Sequence, residues 1–153
     1  MARNHPYGAF NFLVNIGGST SETDPVLGGF SDVSGLSNEI TVAEYRNGND
    51  PVNHVQKVPG VHKVGDVTLK RGIINSGEVW QWIDETRRTG PAAKRSVVIT
   101  MRDEAGTPVQ SWKLQQCFIM KYTGPTLAAK GGGDVAMEEL VISSEGLELE
   151  QLA

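Results

Sequence analysis

The residues that could do chemistry are scattered through the chain, at separations that fit no familiar site. His54, His62 and Asp66 are potential metal ligands, but their spacing matches no known ligand pattern. Ser34 has Asp32, and not glycine, two residues before it, so the nucleophile elbow of a hydrolase is missing. These residues therefore predict neither a metal site nor a Ser-His-Asp triad.

Three further groups have a simpler structural interpretation. Asp103-Glu104 are adjacent carboxylates in a predicted hairpin tip, where solvated charges are expected. Gly131-Gly132-Gly133 could cradle a phosphate, but no Lys-Ser/Thr pair follows, so a flexible loop is favoured. Cys117, the single cysteine, precedes Phe118 and Ile119 and is expected to be a small buried hydrophobe. The sequence thus predicts no catalytic residue, no cofactor and no metal.

The composition favours one soluble globular domain spanning residues 1–153. Hydrophobic residues make up 39% of the chain and charged residues 21%. No apolar run approaches the roughly 20 residues that cross a bilayer, and the N-terminal residues lack the apolar stretch of a secretion signal. We therefore expect synthesis in the cytoplasm and no membrane insertion.

The net charge of −4 is unevenly distributed. Residues 54–102 carry nine Lys or Arg against four acidic residues, whereas residues 134–150 carry six acidic residues and no basic one. This pattern has two interpretations. It is either ordinary solvated surface, or a basic middle that meets an acidic end on a neighbouring copy of the chain.

Hydrophobic alternation predicts a mainly β chain. Two apolar strands are predicted to form a hairpin around the turn at 103–108, and further strands are predicted before and after it. The predicted strands are Phe10–Ile16, a short strand that includes Phe30 and Val33, about Leu36–Arg46, His54–Val58, Val64–Arg71, Val97–Met101, Val109–Met120 and Val135–Ser143. Pro59-Gly60 is predicted to be a turn, and Val135–Ser143 would also suit a helix.

One short helix is predicted between these strands. Val79, Trp82 and Ile83 form a stripe at helical spacing, which is typical of core packing. Ser76 is the predicted N-terminal cap, and Gly90-Pro91 stops the helix. The helix is therefore expected to add a large apolar surface to a β fold.

The segment between Ile40 and Val58 is predicted to be a polar hairpin. Its turn, Arg46-Asn47-Gly48-Asn49-Asp50-Pro51, contains an Asn-Gly pair that tolerates positive φ. Few large apolar residues flank this turn, so the hairpin cannot bury itself within one subunit. Its backbone edges are expected to be satisfied by pairing with neighbouring copies.

Short motifs spread over most of the length resemble the tube proteins of contractile phage tails and the inner-tube subunits of extracellular contractile injection systems. The motifs, in chain order, are Phe12-Leu13-Val14-Asn15-Ile16, Gly29-Phe30-Ser31-Asp32-Val33-Ser34-Gly35-Leu36, Glu44-Tyr45-Arg46-Asn47-Gly48-Asn49, Lys57-Val58-Pro59-Gly60, Val67-Thr68-Leu69-Lys70-Arg71-Gly72, the helix with Trp80 and Trp82, Asp103-Glu104-Ala105-Gly106, Trp112-Lys113-Leu114, Tyr122-Thr123-Gly124-Pro125, Glu138-Glu139-Leu140 and Glu145-Gly146-Leu147. The secreted tube proteins of type VI secretion are less similar.

The resemblance implies two packed antiparallel sheets forming a β-barrel or sandwich with one flanking α-helix. It also implies six copies in a ring, rings stacked into a rigid hollow tube within a contractile sheath, and delivery of DNA or protein cargo when the sheath contracts. The partners would be identical copies, the sheath, and baseplate and terminator proteins. The particle would be a virion tail or an injection system.

The candidate interface residues come from the polar hairpin, the basic middle and the acidic end. They are Arg46, Asn47, Gly48, Asn49, His54, Lys57, Lys70, Arg71, Glu138 and Glu139. We expect Lys57, Lys70 and Arg71 to meet acidic groups of the next copy, and lumen-facing positions to alternate along Val64–Arg71 and near Ile40. The alternatives are a monomeric barrel that binds a small ligand, and a type VI secretion tube protein.

Overall fold

The computed structural model describes residues 4–16, 30–49, 51–73, 77–131, 133 and 135–151. Within these residues the chain forms nine strands, one α-helix and one short 3-10 helix. The elements are β1 (Phe12–Ile16), β2 (Asp32–Ser34), β3 (Asn38–Tyr45), β4 (Gln56–Val64), β5 (Val67–Gly72), α1 (Gly77–Thr89), the 3-10 helix (Gly90–Ala93), β6 (Arg95–Arg102), β7 (Pro108–Thr123), β8 (Met137–Ser143) and β9 (Gly146–Gln151). The predicted mainly β fold, with two antiparallel sheets and one helix, is confirmed.

Two sheets share the long strand β7. Its first half pairs with β6 and β9, and β1 extends that sheet beyond β6, giving what we call sheet A. Its second half pairs with β8, followed by β5 and β2, giving sheet B. Between the halves, Gln116 has φ 52°, and the register with β6 slips by one residue. This bulge bends β7 from one sheet into the other.

The core lies between the two sheets. Along β5 and β8 every second residue is buried, including Leu69 and Leu140, which face each other in the register. Sheet A contributes Val97, Ile99 and Leu114 to the same cluster. Alternation with period two is therefore what assigns each strand residue to the core or to the outside.

The helix α1 completes the core on one side. Val79 and Trp82 are fully buried, and Ile83 packs against the same cluster. The indole N–H of Trp82 donates to the carbonyl of Ala93 at 3.0 Å, so the large ring is buried without losing a hydrogen bond. Gly90, with φ 62°, ends the helix at the predicted position. The predicted cap Ser76 lies outside the described residues.

The predicted turn at Pro59-Gly60 is wrong, because β4 continues through it to Val64. A bulge absorbs the irregularity: Ile40 pairs with His62, but Val42 pairs with Pro59, which leaves one extra residue on β4. A Cβ on Gly60 would lie 2.7 Å from the carbonyl oxygen of Thr41, so the bulge requires glycine there. Proline and glycine mark a bulge here, and not a chain reversal.

The predicted strand Val64–Arg71 is divided in two. Val64 ends β4 and Val67 begins β5, with Gly65 between them donating its N–H to the carbonyl of Ser37 at 3.1 Å. Gly35 has φ 88°, and a Cβ there would lie 2.2 Å from the carbonyl oxygen of Asp66. These glycines let the β3–β4 hairpin leave the body of the molecule as a separate two-stranded sheet.

The last predicted strand is present as β8, but a further strand follows it. Gly146–Gln151 forms β9 along the first half of β7, with Leu147 opposite Leu114 and Glu148 opposite Lys113. The glutamates between the leucines are consistent with an edge strand that buries only one face. Glu148 and Glu150, the last two acidic residues of the chain, are therefore part of sheet A.

Candidate assembly surfaces

The β3–β4 hairpin is a surface that the described part of the chain leaves uncovered. Every residue of β3, and every residue of β4 except Val64, is exposed. Several of them are apolar, including Ile40 at 44%, Val42 at 55% and Val61 at 72% exposure. A two-stranded ribbon without a third layer is only marginally stable in water. This exposure of β-branched residues on a paired ribbon is typical of a surface that another chain covers.

The hairpin carries a charged pair on each of its faces. Glu44 lies directly opposite Lys57 near the tip, and Glu39 lies opposite Lys63 near the base. Cross-strand pairs of opposite charge stabilise a ribbon by about 0.2–1 kcal/mol each. The two pairs help the ribbon to keep its shape before any partner covers it.

The hairpin tip, which we define as residues 46–49 and 51–57, holds most of the predicted interface residues of this region. Arg46, Asn47, Gly48, Asn49, His54 and Lys57 are all exposed. The hydroxyl of Tyr45 donates to the side-chain oxygen of Asn47, which fixes the start of the turn. The structure therefore brings the predicted hairpin residues together at one projecting end.

A row of charges crosses the outer face of sheet B. Asp32 of β2 is in register with Lys70 of β5, and Lys70 is in register with Glu139 of β8. These side chains point away from the core, because their neighbours Leu69 and Leu140 point into it. Lys70 and Glu139, both predicted interface residues, are therefore on the surface.

The charge row borders an open cavity of about 470 Å³ at one end of sheet B. Asp32, Lys70 and Glu139 form one wall, and the last residue of β7, Thr123, forms another with the residues that follow it as far as Thr126. Val135 and Met137 add an apolar rim. Asp32 and Glu139 against Lys70 leave one negative charge in excess among the surface groups.

Arg71 and Glu138 do not lie on the surface with Lys70 and Glu139. They are 4% and 1% exposed, and the Nε of Arg71 donates to a carboxylate oxygen of Glu138 within the same subunit. The hydroxyl of Tyr122 donates to the other oxygen at 2.9 Å, and the guanidinium lies 5.4 Å from the ring centroid of Phe30. The expected contact of Arg71 with the next copy is thus replaced by an internal pair.

The sequence contained the signal for this correction. Arg71 is two residues from Leu69 and four from Val67, so it shares their face of β5, and Glu138 likewise shares the face of Leu140. The adjacent residues Lys70 and Glu139 fall on the opposite face. Considering Lys70-Arg71 and Glu138-Glu139 as pairs concealed the alternation that separates their roles.

The three potential metal ligands lie on or next to the β3–β4 hairpin, and Cys117 is buried. His54 is exposed in the hairpin tip and His62 is exposed in β4, while Asp66 follows β4. In the part of the chain that the structure describes, no group of three or more His, Cys, Asp or Glu could hold a metal ion. Burial raises the pKa of the Cys117 thiol to about 11, so it is protonated at neutral pH.

In the two sheets of the body, β1, β9 and β2 each have an edge to which no described strand of this chain pairs. β1 and β9 are the two edges of sheet A, and β2 is an edge of sheet B. Leu149 on β9 is 60% exposed, although Trp112, its partner in the register, packs against the core. Free edges of this kind are templates for pairing with another chain. No helix in the described residues is long and apolar enough to span a membrane.

Solved structures define the class of this fold. A chain in the cryo-EM structure of an extracellular contractile injection system, the PVC sheath-tube complex in its extended state, is 24% identical, with 97% of this chain and 94% of that chain covered and a TM-score of 0.80. A chain of the anti-feeding prophage tube terminating cap is 22% identical, with 99% and 95% covered and a TM-score of 0.81. Hcp1 from Flavobacterium johnsoniae is 12% identical, with 93% and 96% covered and a TM-score of 0.53.

The family follows from the sequence itself. The model of the T4-like virus tail tube protein gp19 family matches residues 8–148, and the chain belongs to that family. No curated protein matches the chain. The resemblance to contractile tail and injection-system tube proteins is confirmed. The likeness to Hcp1 is weaker, in agreement with the lower similarity expected for type VI secretion.

Proposed function

We propose that this chain is the structural subunit of the inner tube of a contractile tail or injection system. Six copies form a ring, rings stack into a rigid hollow tube, and DNA or protein cargo passes through it when a sheath contracts. Residues 1–153 act as one domain, and no step of this role requires catalysis, a cofactor or a metal. The proposal accords with the role of a tube protein that family membership gives the chain.

The observation that carries the proposal is the uncovered hairpin. β3 and β4 pair only with each other among the described strands. Large apolar side chains are exposed on this ribbon, namely Ile40, Val42, Tyr45, Val58 and Val61. Full burial of such a side chain is worth about 1.5–3 kcal/mol. Covering the ribbon with identical copies would therefore stabilise both the hairpin and the assembly.

The free edges of the two sheets support ring formation by the same reasoning. β1 and β9 lie at opposite edges of sheet A, so identical copies side by side can bring the β9 edge of one subunit to the β1 edge of the next. A contact between two different surfaces propagates, and it closes into a ring when the rotation between copies divides a full turn. Closure removes the unpaired edges that a single copy leaves.

The other partners follow from the similar structures. These are complexes of sheath and tube, of a tube terminating cap, of a sheath/tube terminator and of a baseplate. For this chain we accordingly propose a sheath around the tube, a baseplate at one end and a terminator at the other.

A monomeric ligand-binding barrel is a poorer account of the described residues. Such a barrel needs space inside, whereas side chains from both sheets and from α1 fill the region between the sheets, among them Leu69, Leu114, Leu140 and Trp82. These four side chains are 0–1% exposed.

Purified protein tests the proposal by gel filtration and negative-stain microscopy over a range of concentrations. We expect rings at low concentration and cylinders of constant diameter at high concentration. A species that stays monomeric at every concentration, with no cylinders under any condition, would contradict the proposed function.

A further inference from the structure

We propose that a charged row inside the subunit positions the edge strand β2, so that every copy presents this edge to its neighbour in the same geometry. The row, which we call the inner row, consists of Phe30, Arg71, Glu138 and Tyr122. The inference rests on the proposed tube function, in which sheet edges meet between identical copies. It gives the buried ion pair a role in assembly as a positioning device.

The inner row crosses sheet B on its core-facing side. Arg71 of β5 is opposite Glu138 of β8 in the register, and its Nε donates to one oxygen of that carboxylate. The hydroxyl of Tyr122 on β7 donates to the other oxygen at 2.9 Å. On the other side of Arg71, the ring centroid of Phe30 lies 5.4 Å from the guanidinium carbon. Since Phe30 is two residues before β2, these contacts lead across all four strands of the sheet.

The strand β2 is held by few backbone contacts of its own. It has three residues, each in register with β5, and no described strand pairs with its other side. The N–H of Ser31 adds one hydrogen bond to the carbonyl of Lys70, at 2.8 Å. Segments with so few bonds open locally at little cost. The position of β2 therefore depends on the side chains that anchor it, which include Phe30.

Stability alone does not explain why the anchor is charged. Replacing a buried ion pair by apolar residues of similar volume is often neutral or stabilising. Arg71 and Glu138 are 4% and 1% exposed, so they are such a pair. What the charged groups add is direction, because the two oxygens of Glu138 each accept a hydrogen bond from a different strand.

Directional contacts specify one arrangement where apolar packing allows several. The hydrophobic effect is non-directional, and repacked apolar cores lose uniqueness before they lose stability. A satisfied polar network makes a core rigid and unique. The inner row is therefore suited to fixing the place of β2 relative to β5, β8 and β7.

A fixed edge matters for an assembly that must close. A contact between two different surfaces gives a ring only when the rotation between copies divides a full turn. An edge strand that occupies several positions gives several rotations, and hence open chains or rings of mixed size. Loss of the inner row should consequently impair ring formation in a subunit that still folds.

The first experiment replaces Arg71 and Glu138 together, by Met and Leu, which removes both charges and keeps the volume. We expect the urea midpoint to stay close to that of the wild type. The concentration needed for half-maximal ring formation, measured by analytical ultracentrifugation, should rise by about tenfold or more. Negative-stain microscopy should show fewer closed rings and a wider range of diameters.

A second pair of variants leaves the ion pair intact. Phe30→Leu removes the ring beside the guanidinium, and we expect it to raise the same concentration by about threefold or more. Phe30→Tyr is the matched control, because it keeps an aromatic face next to Arg71. The Tyr variant should assemble like the wild type.

Hydrogen exchange measures the position of β2 directly. It is followed by mass spectrometry on single subunits, below the concentration at which rings form. Amides of residues 31–34 should exchange faster in Phe30→Leu and in the paired variant than in the wild type or in Phe30→Tyr. Amides of β8 should exchange at the wild-type rate in all of them. A purely structural role would accelerate β8 as much as β2.

Each possible outcome decides the question. Impaired ring formation without faster exchange at β2, or the reverse, would overturn the inference, as would equal acceleration in β2 and β8. Wild-type behaviour of the paired variant in both measurements would also overturn it, although tubes would still form. If the paired variant is too unstable to assemble, Phe30→Leu decides by the same two measurements. If the wild type forms no rings, the tube function fails, while exchange at β2 still shows whether the inner row positions that strand.

Discussion

The sandwich body and the β3–β4 hairpin are built from the same kinds of residue with opposite results. In the body, β5 buries Val67, Leu69 and Arg71 in strict alternation because a second sheet and a helix cover that face. In the hairpin, Ile40 and Val61 are exposed because no element of the described residues covers them. The difference teaches that β-branched sequence specifies a strand, whereas the surrounding elements decide whether the strand is buried.

The comparison predicts different roles for residues of the body and residues of the hairpin. A substitution in the body should act on folding, and a substitution in the hairpin should act on assembly. Each prediction below tests this separation by measuring the free energy of unfolding and tube formation on the same variant.

The largest effect is expected at the buried ion pair. Glu138→Ala leaves the Arg71 guanidinium buried without its carboxylate, and loss of one partner from such a pair costs about 3–5 kcal/mol. Urea unfolding should show this loss. The control is the adjacent Glu139→Ala on the outer face, which should change the free energy of unfolding by less than about 0.5 kcal/mol.

An equal loss from the two glutamate variants would show that the two faces of β8 are not distinct. Replacing Arg71 and Glu138 together by Met and Leu is a further check. An apolar pair of similar volume should recover most of the stability lost in Glu138→Ala.

The next largest effect contrasts an apolar residue of each region. Leu69→Ala removes a fully buried side chain and should cost about 2–5 kcal/mol. Val61→Ala truncates a side chain that is 72% exposed, and should cost less than about 0.5 kcal/mol in the free subunit. Val61→Ala should nevertheless weaken assembly. Loss of folding stability on its truncation would mean that the body covers the hairpin after all.

A smaller effect is expected from the thiol of Cys117 at alkaline pH. Its pKa is raised from 9.0 to about 11 in the folded chain, so the unfolded chain loses the proton first as pH rises. Stability from the neutral thiol is full below pH 9 and falls by about 2 kcal/mol between pH 9 and 11. Unfolding of Cys117→Ala across this range should lack that decline, and an identical slope in both proteins would contradict the assignment.

The sequence alone predicted an element correctly where its local pattern and its packing in the fold favour the same structure. The stripe of Val79, Trp82 and Ile83 indicated a core-facing helix, and Gly90 marked its end. The β6–β7 hairpin followed from two apolar strands around a clear turn, although the bulge at Gln116 was not visible because glutamine rarely adopts positive φ.

The features that the sequence did not predict depend on pairing with residues that are distant in the chain. Pro59-Gly60 has the composition of a turn, and only pairing with Thr41 and Val42 shows that it forms a bulge. β9 was missed because its alternating leucines and glutamates become a strand only beside β7. Which residues cover the hairpin remained outside the reach of the sequence for the same reason, since the proposed partner is another copy.

The smallest effect on folding is expected from shortening the hairpin tip, and it should coincide with a complete loss of tubes. Replacing residues 46–55 by Asn-Gly joins Tyr45 to Gln56, which already pair in the register, through a two-residue turn. The free energy of unfolding should change by less than about 1 kcal/mol, because no tip residue contributes to the core. Rings should persist while stacking fails, since the tip is exposed in the single subunit and the free sheet edges remain. Full-length tubes from the shortened chain would show that the body alone carries assembly, and the distinction between the two regions would then be wrong.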